Sequence, residues 1–506
     1  MCSRGVSHHK PFRVPWEDIM KMGMARHGAS TTTHPFFRAC SGKPLPPRSI
    51  RKNSRLWKTH SSKTTSTSDT SETLLTLPSS GASISIETVP SIDEIVQSEW
   101  DACAYPQDER AEKVPFLKHS FLAALESSKS VSRDEGWLPL HLVVKSENDG
   151  KLLGCSPLYM KGHSMGEYVF DQGWAQAFQR AGGSYYPKLQ SAVPFTPVTG
   201  SRLLVRGGLD EDDRKIVSSA LARGLIACCH QYNVSSAHVT FCRGEEMATF
   251  RELGYMPRLG MQYHWENRRR GTEEKYASFK EFEMDLKQSR RKNVRQERKR
   301  PAKDGLRVFR ATGDDIKPDQ MADFYEMYVA QTEKKWGRDY LRREFFDEIY
   351  ETMRDDIMFV FAEQEGTGRL VAGAINFIGS HALYGRNWGC LPPESAAGDA
   401  NLSKLFRSMG VDTGAQMSGG FKHLHFECCY YQAIEAAIEL GLDRVEAGAQ
   451  GEHKISRGYL PVETHSAHYV ADLSFQSAVS EFLGRERREM MEVMEVLTAS
   501  ESPFKT

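Results

Sequence analysis

The chain has 506 residues, enough for two ordinary domains with flanking segments. Hydrophobic residues make up 40% and charged residues 26%, and Lys plus Arg balances Asp plus Glu at 66 each, so no net field draws the molecule to nucleic acid or an anionic membrane. No apolar run reaches the about 18 residues of a membrane-spanning helix, and the ten cysteines form no CxxC pair, which argues against a zinc knuckle or a disulfide framework and for buried, reduced thiols.

Residues 1–84 read as a leader. Met1–Ser68 carries thirteen Lys and Arg against two acids, Glu17 and Asp18, with Ser and Thr clustered at Ser30–Thr33 and Ser61–Ser68. An Arg- and Ser-rich, acid-poor leader predicts a transit peptide for a chloroplast or mitochondrion. The alternative is a disordered extension of a cytoplasmic protein.

From Ile84 onward, strand-like and helix-like segments alternate, the mark of an α/β chain. Ser91–Ala104 and His119–Ser127 are predicted helices. Leu138–Lys145 and Lys151–Met160 are predicted strands of a hairpin turning at Asn148-Asp149-Gly150. Phe170–Ala181 is amphipathic and stops at Gly182-Gly183. Helix Glu211–Gln231, strand Ser236–Cys242, helix Gly244–Leu253 and strand Tyr255–Asn267 complete a first lobe over 85–270.

Residues 271–304 connect it to a second lobe through a predicted helix, Ser278–Arg300, ended by Pro301. Eight cations crowd it: Lys287, Arg290, Arg291, Lys292, Arg295, Arg298, Lys299 and Arg300. A solvated face is the usual explanation of such a run. Steering of a phosphate-bearing donor is the functional one. The basic part has no stacking aromatics, which leaves specific RNA binding a minority reading.

The second lobe, 305–499, repeats the alternation: strand Leu306–Ala311, helices Met321–Lys334 and Leu341–Arg354, and strands Ile357–Glu363, Leu370–Ile378 and Ala382–Cys390. Residues 391–420, rich in Gly, Ser and Ala, read as an inserted loop. Helix His425–Leu440, strands Arg444–Gly448 and Ser466–Ala471 and a helix from Ser474 to Leu497 follow, with 500–506 as a tail. The first lobe shows a blurred version of the same order, which suggests an internal duplication.

Several phrases are similar to one family. In the first lobe these are Pro115-Phe116-Leu117, Gly136-Trp137, Gly166-Glu167-Tyr168-Val169-Phe170-Asp171, Tyr185-Tyr186-Pro187-Lys188 and Val193-Pro194-Phe195-Thr196-Pro197. Arg291–Arg298 marks the junction. In the second lobe they are Lys335-Trp336-Gly337, Asn376-Phe377-Ile378-Gly379, Tyr384-Gly385-Arg386, Trp388-Gly389-Cys390, and the stretch from Phe426-Glu427 through Glu446–Lys454. On these the chain, from about Thr88 to Leu497, resembles the FemAB-like, peptidoglycan-biosynthesis-like N-acyltransferases of the GNAT superfamily. The resemblance implies two tandem GNAT-like lobes and amide formation from an activated acyl or aminoacyl donor.

Amide formation needs an unprotonated amine, a polarised carbonyl and a proton for the leaving group. The loop after strand Arg444–Gly448 gathers Glu446, Gln450, Glu452, His453 and Lys454, with Gly448 and Gly451 permitting sharp turns. Glu452 or His453 would act as base there; Lys454 would hold a carboxylate or phosphate. The bland alternative is a surface loop. Glu427 could be a base with Tyr430 or Tyr431 as proton donor, although an acid in a first helical turn is also what the helix dipole favours.

In strand Ala382–Cys390, alternation puts Tyr384, Arg386 and Trp388 on one face, as a pocket wall or as a core strand. Tyr168, Asp171 and Lys188 belong to a polar and aromatic set expected to line a groove between the lobes. His423-x-His425-x-Glu427 invites a metal, but the change to helical periodicity at Phe426 splits the three, and no metal is expected.

The segment Phe421–Glu427 lacks the Gln/Arg-x-x-Gly-x-Gly/Ala loop that holds coenzyme A in ordinary GNAT lobes. Acyl-CoA remains one donor candidate. The acceptor is expected to be a small-molecule or peptide amine. The competing functions are a non-catalytic recognition protein on the same fold and a tRNA-dependent aminoacyltransferase.

Overall fold

The computed structural model describes residues 76–106, 112–336, 339–391, 420–448 and 451–505. The leader up to residue 75, and the insertion apart from Leu391 and Gly420, lie outside them.

The first lobe begins with β1 (Ile84–Val89), α1 (Gln97–Ala104) and α2 (His119–Ser127). Leu77 and Ala82, placed in the leader by composition, are buried in its core. The expected hairpin forms, but each arm is cut near a proline. One arm becomes β2 (Trp137–Pro139) and β3 (His141–Ser146), the other β4 (Leu152–Ser156) and β5 (Leu158–Lys161). Pro139 and Pro157 cannot donate to a ladder, so both arms bend there and pass from one sheet into another. Then come α3 (Gln172–Arg180), β6 (Lys188–Ser191), β7 (Leu204–Val205), α4 (Glu211–Gln231), β8 (Ser236–Cys242), α5 (Met247–Glu252) and β9 (Met256–Glu266).

The single basic helix expected over Ser278–Arg300 is broken. α6 (Phe279–Asp285), α7 (Gln288–Arg298) and the short α8 (Arg300–Lys303) replace it. Leu286 and Lys287 are extended, with ψ of 149° and 146°, because Leu286 leaves the helix to bury itself and bridge to Phe504. Pro301 does not end the helix; it sits in the first turn of α8, where its missing N–H costs nothing.

β10 (Leu306–Thr312), α9 (Pro318–Trp336), α10 (Arg343–Met353), β11 (Ile357–Gln364), β12 (Leu370–Ile378) and β13 (Ala382–Cys390) follow. α11 combines Leu424–Phe426, a π-helical turn over Glu427–Tyr431 and Gln432–Glu439. β14 (Arg444–Glu446), β15 (Leu460–Val470) and α12 (Leu473–Glu501) close the chain. β15 begins six residues earlier than Ser466, the start expected from its composition.

Two sheets result. A small antiparallel one runs β1-β3-β4-β7. An eleven-stranded one runs β10-β11-β12-β13-β14-β9-β15-β8-β6-β5-β2. Each lobe gives its last strand to the other: β9 pairs with β14, and β15 with β8. The two meet in a long antiparallel ladder from Leu460 opposite His264 to His468 opposite Met256. Apart from β10, which has no counterpart, the order is symmetric about that ladder, as a duplicated lobe with exchanged final strands would be. Phe116 and Phe121 of the first lobe pack on Phe377, Tyr384 and Phe345 of the second, with ring centroids 4.8 to 5.7 Å apart. One apolar core therefore fixes both lobes as a single body.

Candidate functional site

The second-lobe sheet opens between β13 and β14. These parallel strands pair at Ala382–Arg444, Leu383–Val445 and Tyr384–Glu446, then part. β13 carries a bulge just beyond: Asn376 of β12 faces Gly385, and Ala374 faces Trp388, so Ile375 alone opposes Arg386 and Asn387. The extra residue reverses the alternation. Tyr384 packs beside Phe116 on one side of the sheet. Trp388 turns to the other side, 5.4 Å from the ring of His425. The common face expected for Tyr384, Arg386 and Trp388 is therefore not formed.

Arg386 and Asn387, in the bulge, face the first lobe. Arg386 Nη2 donates to the carbonyl of Phe195 at 2.5 Å, and Asn387 Nδ2 donates to Tyr340 Oη at 3.1 Å. Burial lowers the Arg386 pKa, and the hydroxyls of Tyr168 and Tyr340 stand close to its charge. Tyr168 is itself pushed up by burial and by Tyr340.

At the point of divergence sits Glu446. It is 3% exposed, and its Oε1 accepts from Arg444 Nε at 2.9 Å. Its Oε2 has no hydrogen-bond partner among the described residues; His264 Nε2 of the first lobe lies 3.7 Å away. Burial raises Glu446 to about 7 against the pull of Arg444. Burial, with Arg444 and Lys454 nearby, lowers His264 to about 3, so its imidazole is neutral. Glu112 joins the lobes here, paired with Arg444 and with Arg243 at 3.1 Å, and accepting from Tyr384 Oη at 3.0 Å.

The opposite side of the gap is covered by α11. Its π-helical turn, a feature that recurs at functional sites, aims Tyr430 at His453, with Oη and Nε2 2.9 Å apart. Phe426 and His425 ring this pair. Partial desolvation, then the charges of Arg457 and Lys454, lowers His453 to about 4. Lys454 is 2% exposed, donates from Nζ to the carbonyl of Gly448 at 2.8 Å, and is lowered to about 7 by burial. Gly448 and Gly451, at φ 77° and 115°, make the turns that bring it inward. Gln450 and the side chain of Glu452 lie outside the described residues.

Glu427 is not poised as a base. Arg298 Nη2 pairs with it at 3.3 Å and Gln432 Nε2 donates to it at 2.8 Å. Burial raises its pKa, and Arg298 partly offsets that. Arg298 also pairs with Glu435 at 2.7 Å. Its neighbour Glu297 clasps Arg457 at 2.8 Å and accepts from Tyr431. Part of the basic stretch therefore clamps the π-helical turn to the Glu452–Arg457 segment.

Asp171 and Lys188 lie elsewhere, in a buried network of the first lobe. Lys188 pairs with Asp171 and with Glu167 at 2.7 Å. Tyr185 Oη donates to Asp171 at 2.7 Å and lies 3.2 Å from His238, which meets His468 at 2.7 Å. Burial opposes the Asp171 charge, but Lys188 and its other partners outweigh it and hold the carboxyl below its usual range.

The first lobe has its own parallel pair, β6 with β8. Its opening is filled by the chain itself. Gly200 N donates to Phe241 O, and buried Arg202 donates to the carbonyls of Thr240, Gly200, Ser201 and Val198. The two lobes thus differ at the same topological position, one plugged and one carrying an under-bonded carboxylate.

Glu112, His264, Glu297, Arg457 and Arg202 carry no site signal in the sequence. The Arg444-x-Glu446 spacing on a strand would have signalled the first ion pair, since such residues share a face. The others are joined only by the tertiary fold.

The family model for FemAB-like proteins, described as peptidoglycan biosynthesis/recognition, matches residues 91–395 and 414–506. A search of curated proteins returned no match. Among solved structures the chain is similar to FemX at 11% identity, covering 76% of this chain and 98% of that one, with a TM-score of 0.43. A tandem GNAT protein from the clavulanic acid biosynthesis pathway aligns at 12% identity over 77% and 99%, with a TM-score of 0.36. L-PGS from Bacillus licheniformis aligns at 10% over 75% and 100%, with a TM-score of 0.39. The match of the family model over both lobes makes this chain a member of the FemAB-like family.

Proposed function

We propose that the chain is an N-acyltransferase that joins an activated acyl or aminoacyl group to an amine at the gap between β13 and β14. The observation that carries this reading is Glu446: buried, raised to about 7, and left with one oxygen unbonded at the last pair before the strands part. A carboxylate tuned near neutrality is suited to take a proton from an amine.

In this reading the amine nitrogen attacks the carbonyl carbon, the new C–N bond forms, and the amine proton passes to Glu446. Backbone N–H groups freed by the β13 bulge stabilise the oxyanion. The bond to the leaving group then breaks, and Tyr430, hydrogen-bonded to His453, supplies that group's proton. Glu446 and Tyr430 stand on opposite sides of the sheet, so acceptor and donor approach from opposite faces.

The donor carries phosphate, as both acyl-CoA and charged tRNA do. Lys292 and Lys299 are exposed on and just after α7, and among the described residues neither has an ion-pair partner, which favours such a donor.

A thermal-shift screen of the full chain against acyl-CoA esters and aminoacyl-tRNA tests the proposal, because a ligand that binds only the native state must stabilise it. Stabilisation by one donor class, followed by amide formation that Glu446→Gln strongly slows, is the expected result. Donor binding with turnover unchanged in Glu446→Gln would overturn the assignment of the base. Binding of acceptors with no transfer from either donor class would favour the recognition protein instead.

A further inference from the structure

A cavity of about 300 Å³, the size of a small-molecule site, lies between β9, the start of β15 and the end of α12. Its inner end is His264, whose Nε2 is 3.7 Å from the under-bonded Oε2 of Glu446. Its outer end is the Arg268–Thr272 turn. The first half of α12 buries Val479 and Leu483, and Thr498 near its end lines the cavity.

The three arginines of the turn are not equivalent. Arg268 pairs with Glu273 at 3.0 Å and Arg269 with Glu274 at 3.2 Å, so their charges are answered locally. Arg270 lies over the ring of Phe504, 4.1 Å from its centroid, and has no carboxylate in ion-pair range among the described residues. The nearby Asp285 carboxylate is engaged by the Arg270 backbone N–H at 3.1 Å and by Tyr276 Oη at 2.9 Å. A stacked guanidinium is weakly hydrated and keeps its fork free for a planar acid.

Between the two ends, Leu460, Val462 and Phe504 give an apolar wall.

We infer that this cavity holds the far end of the amine acceptor: an apolar or mixed body ending in a carboxylate or phosphate bound by Arg270. The inference rests on the transfer reaction proposed above for the identity of the ligand as acceptor. Arg270 is a specificity-determining residue in this account, while the amine end lies at His264, which stands beside Glu446.

The test is isothermal titration of the full chain with aminooctanoate, aminooctyl phosphate and octylamine, which share a terminal amine and differ in the other end. The acidic ligands are expected to bind about tenfold more tightly than octylamine, and Arg270→Gln, on the surface and outside the core, is expected to erase that preference. The tighter of the two acids identifies the group the site prefers. Equal binding of all three, or a preference untouched by Arg270→Gln, overturns the inference. Titration needs no turnover, so an Arg270-dependent preference stands even if no donor supports transfer. Transfer that ignores the acid would sink this inference and leave the reaction intact.

Discussion

The Glu446 carboxylate and the His264 imidazole face each other across neighbouring strands of different lobes, Oε2 to Nε2 at 3.7 Å. Only the exchange of final strands makes them neighbours. It places a neutral ring, lowered to about 3, beside an acid raised to about 7. The carboxylate gains no ion pair from that side and stays basic enough to accept a proton.

Activity should therefore follow the ionisation of Glu446. Its deprotonated form is the base, so kcat/KM should fall as pH drops below about 7. Glu446→Gln should lower turnover about 10²–10⁴-fold and remove that acid limb. Initial rates across pH 5–9 on both proteins measure it. An unchanged limb in the variant would assign the titration to another group.

Lys454 should make stability rise with pH. Its folded pKa, about 7, lies below the unfolded value near 10.5, so the unfolded chain binds more protons between those limits. Its contribution to stability is poorest below pH 7 and improves up to about pH 10.5. Glu446 acts the other way, its contribution falling from about pH 4.5 to 7 because the folded state holds the proton longer. Lys454→Met should flatten the rise in melting temperature between pH 7 and 10. A rise equal to that of the parent protein would contradict the burial argument.

Arg298→Ala should destabilise the protein by about 3 kcal/mol, since it strands the buried Glu427 without its cation. Adding Glu427→Gln should recover part of the loss. Urea unfolding of the single and double variants gives both numbers. No recovery would mean that Arg298 acts through Glu435 or through its packing over Phe279, 4.3 Å from its guanidinium.

Arg202 should matter to folding and not to donor capacity. Arg202→Met leaves buried carbonyls of the first-lobe plug unsatisfied, at a cost of about 2–4 kcal/mol. Titration of the parent chain should show one donor per molecule, because among the described residues such a plug is seen at the first-lobe opening and not at the second. Two donors per chain would refute the plugged-lobe account.

Much of the fold was legible. β13 matches its expected span residue for residue, as does α4. α4 begins where Asp210 caps the amide of Asp213, a local signal readable from spacing alone. The broken helix at Leu286 was not legible, because its periodicity is helical and only the distant Phe504 draws it out. The bulge at Gly385–Trp388 was equally hidden, since period-two alternation assumes an unbroken ladder. The site was read with the same limits: Tyr430, His453, Glu446 and Lys454 surround the strand opening, Glu427 is tied down by Arg298, and Asp171 and Lys188 serve a separate buried network.

The sequence by itself determined the two-lobed α/β order and the family, because hydrophobic period, turn residues and motif phrases are local properties of the chain. The tertiary structure alone decided which residues share the site. His264, Glu112 and Glu446 are held together by strand exchange and by ion pairs between residues hundreds of positions apart in the chain. The protonation of Glu446 and Lys454 was likewise out of reach, because it depends on burial, which a chain acquires only once it has folded.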